Sequence, residues 1–269
     1  VIHPTAIIDP GAKLGANAGV GPYAIVEDGV EIGANCVLAA HAIIRRGTVL
    51  GAAVKVDSFA VVGGDPQDLR FDPDVRSGVR IGDRTVLREG ATVHRSTHAG
   101  GFTEVGPDAL LMGCSHVGHD CRVGARVILG NGALLAGHIE VGEGSFLSGG
   151  TVFHQFLRIG EGVMVSGNAR LGLDVPPFTL AAERNELHGL NLVGLRRRGF
   201  DAATIAELKR LYAAVYASGA PRANAAAAVG LAQTEPGKRF LAFFAGGTRG
   251  FLRPPKRQFE AQGDFSIAD

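Results

Sequence analysis

The feature that most narrows what this chain can fold into is a hydrophobic beat of six. Steps of six from Ile2 give Ile8, Leu14, Val20, Val26, Ile32, Leu38, Ile44, Leu50, Val56 and Val62. Four residues after each of the first ten members stand Ala6, Ala12, Ala18, Ala24, Val30, Cys36, Ala42, Thr48, Val54 and Ala60, all small or β-branched. The phase slips across 63–80, resumes at Ile81, Leu87 and Val93, and breaks again at Ala99. It then runs from Val105 through Leu111, Val117, Val123, Leu129, Leu135, Val141, Leu147, Phe153, Ile159 and Val165 to Leu171. A repeat of this length points to a stacked architecture.

Side-chain alternation along a strand explains the beat. In Ala6-Ile7-Ile8 the outer two residues face one way and the middle one faces the other. Asp9-Pro10-Gly11 then turns the chain, and Ala12-Lys13-Leu14 repeats the pattern. Three such units close a triangular coil of about 18 residues, and successive coils hydrogen-bond in parallel at ~4.8 Å. Inward slots alternate small and large residues and fill the lumen. The many corners account for forty glycines in 269 residues. The expected fold is mainly β, a parallel β-helix of about nine coils.

Two segments interrupt the period and are expected to project as loops, 63–80 (GGDPQDLRFDPDVRSGVR) and 99–104 (AGGFTE). Loops on a rigid scaffold are common carriers of binding residues. The period ends near residue 173, so 1–173 reads as the β-helix and 174–269 as a small helical C-terminal domain. There Asp201 caps a helix with Ile205, Leu208, Leu211, Tyr212 and Val215 on one face, ended by Gly219. Further helices are expected over 221–233 and 237–245, with a loosely held tail from Arg253.

Net charge is +1, and no basic stripe is interleaved with aromatics, which argues against nucleic-acid binding. Residues 1–173 carry a net −3 and residues 174–269 a net +4. Three cysteines are an odd number and do not make a disulfide framework. Cys36 and Cys121 fall in inward slots as small apolar residues, and a reducing cytoplasm fits. No signal-peptide pattern or apolar run of membrane-spanning length is expected to give the chain a membrane anchor.

The clearest part of the repeat, Leu111–Phe156, holds four of the nine histidines. Residues 18 apart stack, so His119, Gly137 and Gln155 should share one column at successive corners, spanning about 10 Å. His138 and His154 adjoin the column. His116 is the outward residue of the strand entering it, and His98 is expected to stack on His116 from the coil before. A lone corner histidine is usually a solvated turn residue. Several proton-handling groups in adjacent corners suit acyl transfer, because a hydroxyl nucleophile needs a base within hydrogen-bond reach. Asp120 would orient the His119 ring, and the backbone N–H of Gly137 would face a developing oxyanion. Cys114 is a competing nucleophile, without a histidine in its stack. Metal binding is a rival, through His94, His98, His116 and His119, and so is a trimer interface lined by the same residues.

The motifs PQDLRF (66–71), IGDRTVLREGATVHRST (81–97), HVGHDCRVG (116–124), LAGHIEVG (135–142), VFHQF (152–156), DVPPF (174–178) and GLNLVGLRRRGF (189–200) closely resemble the UDP-N-acetylglucosamine O-acyltransferases, which open lipid A synthesis. The likeness spans nearly the whole chain to about Arg253. It implies a left-handed coil, an exception to the usual crossover rule, and a homotrimer. It further implies transfer of a hydroxyacyl group from acyl carrier protein to the 3-hydroxyl of UDP-N-acetylglucosamine, without a cofactor or metal. Carried over by position, the base falls on His119, its carboxylate on Asp120 and the oxyanion glycine on Gly137. His116, His138, His154 and Gln155 match residues around the sugar and acyl chain. Asp68 and Arg70 match a loop closing on the sugar from a neighbouring subunit, and Asn191, Arg197 and Arg198 match a nucleotide-contacting segment. Met164 and Gly167 match the region that limits acyl length. The C-terminal +4 excess would steer an acidic carrier.

Val193 stands where the pattern has an acidic residue, and AAERNEL (181–187) is one residue shorter than it. Acyl length and the choice between a 3-hydroxyl and a 3-amino acceptor stay open. An N-acyltransferase on an amino sugar nucleotide, a zinc-dependent γ-class carbonic anhydrase and a bare solenoid are the alternatives.

Overall fold

The computed structural model of the protein describes residues 1–255, so the expected loose tail at 256–269 lies outside the described residues. Three parallel faces form a triangular prism. The first face has nine strands, from Ile7–Ile8 to Arg170–Leu171. The second has eight, from Lys13–Leu14 to Arg158–Ile159, and the third has ten, from Gly19–Val20 to Glu186–Leu190. Each strand pairs with the one a coil later, as in Lys13↔Glu31 and Glu104↔Arg122. From Ala18 onward the inward residues are buried as the beat of six requires, including Cys36 and Cys121 at 0% exposure, while Ile2 at the open first coil is 51% exposed. Each fully buried Leu or Ile of this lumen contributes roughly 2 kcal/mol.

The two excursions change the pairing distance. Arg80 pairs with Val49 and Glu104 with Arg80, so these steps are longer than the regular eighteen. Both loops are shorter than their expected ranges. Val61–Gly64 and Gly78–Ile81 are strands that flank the first loop, and Phe102–Val105 is a strand at the end of the second. Backbone pairing with neighbouring coils claims these edges although their side chains break the beat. The first projecting segment is therefore 65–77.

A guanidinium holds the base of that segment. Arg95, with only 5% of its side chain exposed, donates to Asp65 Oδ1 at 2.7 Å, to Pro73 O at 2.8 Å and to Val75 O. Its Cζ also lies 4.8 Å from the centre of the Phe71 ring. One buried cation thus fixes both ends of a loop that has no sheet partner of its own.

Beyond Leu171 the third face continues. Thr179–Ala182 pairs in parallel with Met164–Val165, and Glu186–Leu190 folds back antiparallel. Four α-helices follow among the described residues: α1 (Leu192–Arg197), α2 (Ala202–Val215), α3 (Pro221–Ala227) and α4 (Glu235–Ala242). Asp201 caps α2 by accepting from Thr204 N. That helix stops at Val215, before Gly219, where Asn224 Nδ2 donates to the Val215 carbonyl at 2.9 Å. Arg253 is not loose, because Leu187 N donates to its carbonyl at 3.0 Å.

Candidate active site

The corner between the first and second faces carries the column. His138 N donates to His119 O at 2.9 Å and Phe156 N to Gly137 O at 3.1 Å, so 119, 137 and 155 occupy equivalent places in successive coils. The next residues, Asp120, His138 and Phe156, all have left-handed φ, at 60°, 60° and 67°. That conformation is costly for His and Phe, and it turns these side chains outward at the corner.

His119 Nδ1 lies 2.8 Å from Asp120 Oδ2. The carboxylate also accepts from Ser96 Oγ, from Thr97 Oγ1 at 2.6 Å and from Thr97 N, and His98 Nδ1 is 3.1 Å away. Burial works against the charged form, but these hydrogen bonds outweigh it and hold Asp120 well below the usual carboxylate range. An ionised Asp120 takes the Nδ1 proton of His119 as a hydrogen bond. It leaves Nε2 as the basic nitrogen, and that atom makes no hydrogen bond among the described residues. The ring lies over Gly137, where a Cβ would stand 2.6 Å from Nε2. The Gly137 N–H is likewise without a partner among the described residues. A base and an oxyanion donor are thus adjacent at one open corner.

The other histidines divide into two groups. His138 stacks on Phe156 at 4.5 Å, meets His119 edge-on at 4.9 Å, and has its affinity for a proton lowered by burial. His116 does not lie under His98. The second excursion lengthens the step, so His116 pairs with Thr92, whose Oγ1 is 2.7 Å from His116 Nδ1, and His98 belongs to Asp120 instead. Burial, with the nearby His94 and His119, pushes the His116 pKa down to about 4. His94 packs edge-on against it at 4.6 Å. These separate placements do not gather the four histidines of the metal reading. His119, Asp120 and His138 do bring ligand atoms within 4.8 Å of one another, so a cation there would compete with the proton on His119.

Asp68 and Arg70 sit at the tip of the 65–77 loop as a paired unit, Nη2 to Oδ2 at 3.2 Å. The Arg70 hydrogen bonds lower the Asp68 pKa, and His119 of the same chain adds to that effect. Asn191, Arg197 and Arg198 lie elsewhere, at the corner between the second and third faces. Asn191 is the N-cap of α1 and donates to Gly162 O at 3.1 Å. Arg198 is half-buried against Gly144 and Gly162 and donates to Glu143 O at 3.1 Å, while Arg197 is exposed. Met164 is half-buried on the third face, between Phe146 and Leu180, and Gly167 is exposed at the corner that follows. Within one chain, then, the second face separates the histidine corner from the arginine segment.

Ser96, Thr97 and His98, which the sequence reading did not assign around Asp120, complete its hydrogen-bond shell. The stretch HRSTH (94–98) is plain in the sequence, but the inserted residues hide which coil it meets. His154 and Gln155 border a groove of about 560 Å³ on the first face with Val152, Arg170 and Arg184. Another groove, of about 890 Å³, runs along the second face and holds none of the expected site residues.

Residues 174–252 match the family described as Udp N-acetylglucosamine O-acyltransferase, domain 2, and 11–46 and 102–137 match the bacterial transferase hexapeptide repeats. A Chlorobaculum parvum protein named acyl-[acyl-carrier-protein]–UDP-N-acetylglucosamine O-acyltransferase is 55% identical over 259 residues, covering 94% of this chain and 98% of the relative. The chain belongs to the UDP-N-acetylglucosamine O-acyltransferase family. A relative of the same name from Chlorobium phaeobacteroides is 58% identical over the same shares. The solved UDP-N-acetylglucosamine acyltransferase of Campylobacter jejuni superposes with a TM-score of 0.90 at 37% identity, covering 95% of this chain and 100% of that one. That of Francisella novicida gives 0.91 at 32% identity and 96% of both chains. The prism is thus a left-handed β-helix of hexapeptide repeats, and the protein is an acyltransferase. No helix among the described residues is long and apolar enough to cross a membrane.

Proposed function

We propose that the protein transfers a hydroxyacyl group from acyl carrier protein to the 3-hydroxyl of UDP-N-acetylglucosamine, the opening step of lipid A synthesis, in a cytoplasmic homotrimer. His119 Nε2 takes the proton of the sugar hydroxyl as its oxygen attacks the thioester carbonyl. Asp120 stabilises the imidazolium, and the Gly137 N–H steadies the tetrahedral oxyanion. Collapse of that intermediate expels the carrier thiolate, which recovers the proton from His119. No step calls for a cofactor or a metal, and the observation that carries this reading is the braced His119 ring lying directly over Gly137.

The character of the three faces supports a trimer. Outward residues of the first face include Ile25, Ile43, Val61, Leu134 and Val152, and those of the third include Leu110, Ile128, Phe146 and Met164. The second face instead alternates Arg80, Glu104, Arg122, Glu140 and Arg158. A closed three-fold ring that buries the first face of each copy against the third face of the next leaves the charged face in water. It also brings the histidine corner of one copy beside the Asn191–Arg198 corner of its neighbour, which joins the two half-sites. Asn191, Arg197 and Arg198 then bind the nucleotide, with the arginines at its diphosphate. Asp68 and Arg70 close on the sugar, His116, His138, His154 and Gln155 line its pocket, and Met164 and Gly167 bound the acyl chain.

The test is a turnover assay with hydroxyacyl carriers of several lengths against UDP-N-acetylglucosamine and its 3-amino analogue, before and after exhaustive chelation. Preference for the hydroxyl acceptor with undiminished activity after chelation supports the reading. Preference for the amine, or dependence on a stoichiometric metal, refutes it.

A further inference from the structure

Residues 246–252 lead from the last helical turn back to the prism. At Gly247, with φ +80°, a Cβ would stand 2.1 Å from Asp174 Oδ2 and 2.5 Å from Arg158 Nη2. The chain therefore crosses directly over the Arg158–Asp174 ion pair, whose Nη2–Oδ2 distance is 2.9 Å and whose carboxylate is fully buried. A second anchor follows, because Asp174 N donates to Gly250 O and Leu252 N to Asp174 O, both at 2.9 Å. Arg249 stands between these anchors.

Its Nη2 lies 2.9 Å from His154 Nδ1, and its Cζ is 5.9 Å from the centre of the Phe156 ring. No carboxylate among the described residues lies within ion-pair distance of this guanidinium. A guanidinium only donates, so His154 Nδ1 accepts and the ring proton sits on Nε2. The longer 3.3 Å approach of the same Nδ1 to Gln155 O is not a hydrogen bond in that tautomer. Arg249 and His154 thus present N–H donors and one uncompensated charge, on a segment anchored over the Arg158–Asp174 ion pair. Such a set suits the clustered oxygens of a phosphate.

We propose that Arg249, with His154, is a phosphate-recognition site for the substrates of the acyl transfer, an inference that rests on that reading of the reaction. Two phosphates are available: the diphosphate of the sugar nucleotide, and the phosphodiester that links the prosthetic arm of the acyl carrier to its protein. The site is two coils, about 10 Å, from His119 along the column.

The experiment compares the full-length protein with Arg249→Gln in steady-state kinetics. The donor is either the acyl carrier thioester or the phosphate-free acyl-pantetheine. Loss of a charge-assisted contact is expected to raise one KM roughly ten-fold, with kcat changed much less and the thermal midpoint kept. A rise for the carrier that vanishes with acyl-pantetheine assigns the site to the prosthetic arm, and a rise for the sugar nucleotide assigns it to the diphosphate. Unchanged KM values overturn the proposal. So does a fall confined to kcat that acyl-pantetheine reproduces, since Arg249 would then act only by holding His154. Turnover by the unaltered protein tests the reaction itself, so the two failures are distinct.

Discussion

The His119 imidazole covers the α-carbon of Gly137 so closely that a methyl group there would stand 2.5 Å from its Cε1. Gly137 is thereby tied to the base as well as to the oxyanion. Gly137→Ala should displace the ring and disturb both groups, lowering kcat by about 10² or more, while the coil beneath stays paired. Steady-state rates beside circular dichroism would check this, and a kcat within a few-fold of the original would count against the geometry.

His119→Ala should lower kcat by about 10²–10⁴ with KM values little changed. Full activity in that variant would remove the general-base role.

The Asp120 shell predicts a particular pH dependence of stability. The folded-state pKa is lowered, so its stabilisation is complete above the unfolded value of about 3.9 and is lost as pH falls through the folded value. Asp120→Asn should therefore be less stable than the original protein throughout the neutral range. The gap in thermal midpoint should begin to close only below about pH 4. A gap that closes between pH 6 and 7 would mean that an imidazole, not this carboxylate, carries the linkage.

His116 should act in the same sense, over a higher pH range. Its folded pKa of about 4 lies below the ordinary histidine value of 6.5, so the unfolded chain binds the proton first. Stability then falls as pH drops from about 6.5 to about 4. His116→Gln should flatten that part of the profile, as thermal melts across the range would show.

Co-assembly tests whether sites are shared between copies. His119→Ala and Arg198→Ala proteins, each weak alone, should regain about a quarter of the unaltered activity when unfolded and refolded together in equal amounts. In a closed ring whose sites each draw one residue from each of two neighbours, as proposed, one site in four would be intact. No recovery would place both residues in sites built from a single chain.

How much of this was legible beforehand differs from segment to segment. The beat of six fixed the inward slots, and with them the 18-residue rung that stacks His119, Gly137 and Gln155. That arithmetic is local and depends only on strand alternation. It failed at His98, because the extra residues before Phe102 lengthen one coil and carry His98 away from His116 to Asp120. Insertions change which rungs meet, and the residues inside them do not reveal by how much.

The sequence by itself determined the prism, its corners and the presence of a proton-handling column, since a repeated strand-and-turn unit has one economical way to bury its apolar residues. Only the tertiary structure decided that Ser96 and Thr97 hold Asp120, that Arg95 fastens the 65–77 loop and that Arg249 reaches His154 across 95 residues. It also decided that the arginine segment stands at a different corner from the histidines. Each of these contacts has at least one partner in or beyond a break in the repeat, where no periodicity links one position to another and packing alone chooses the partner.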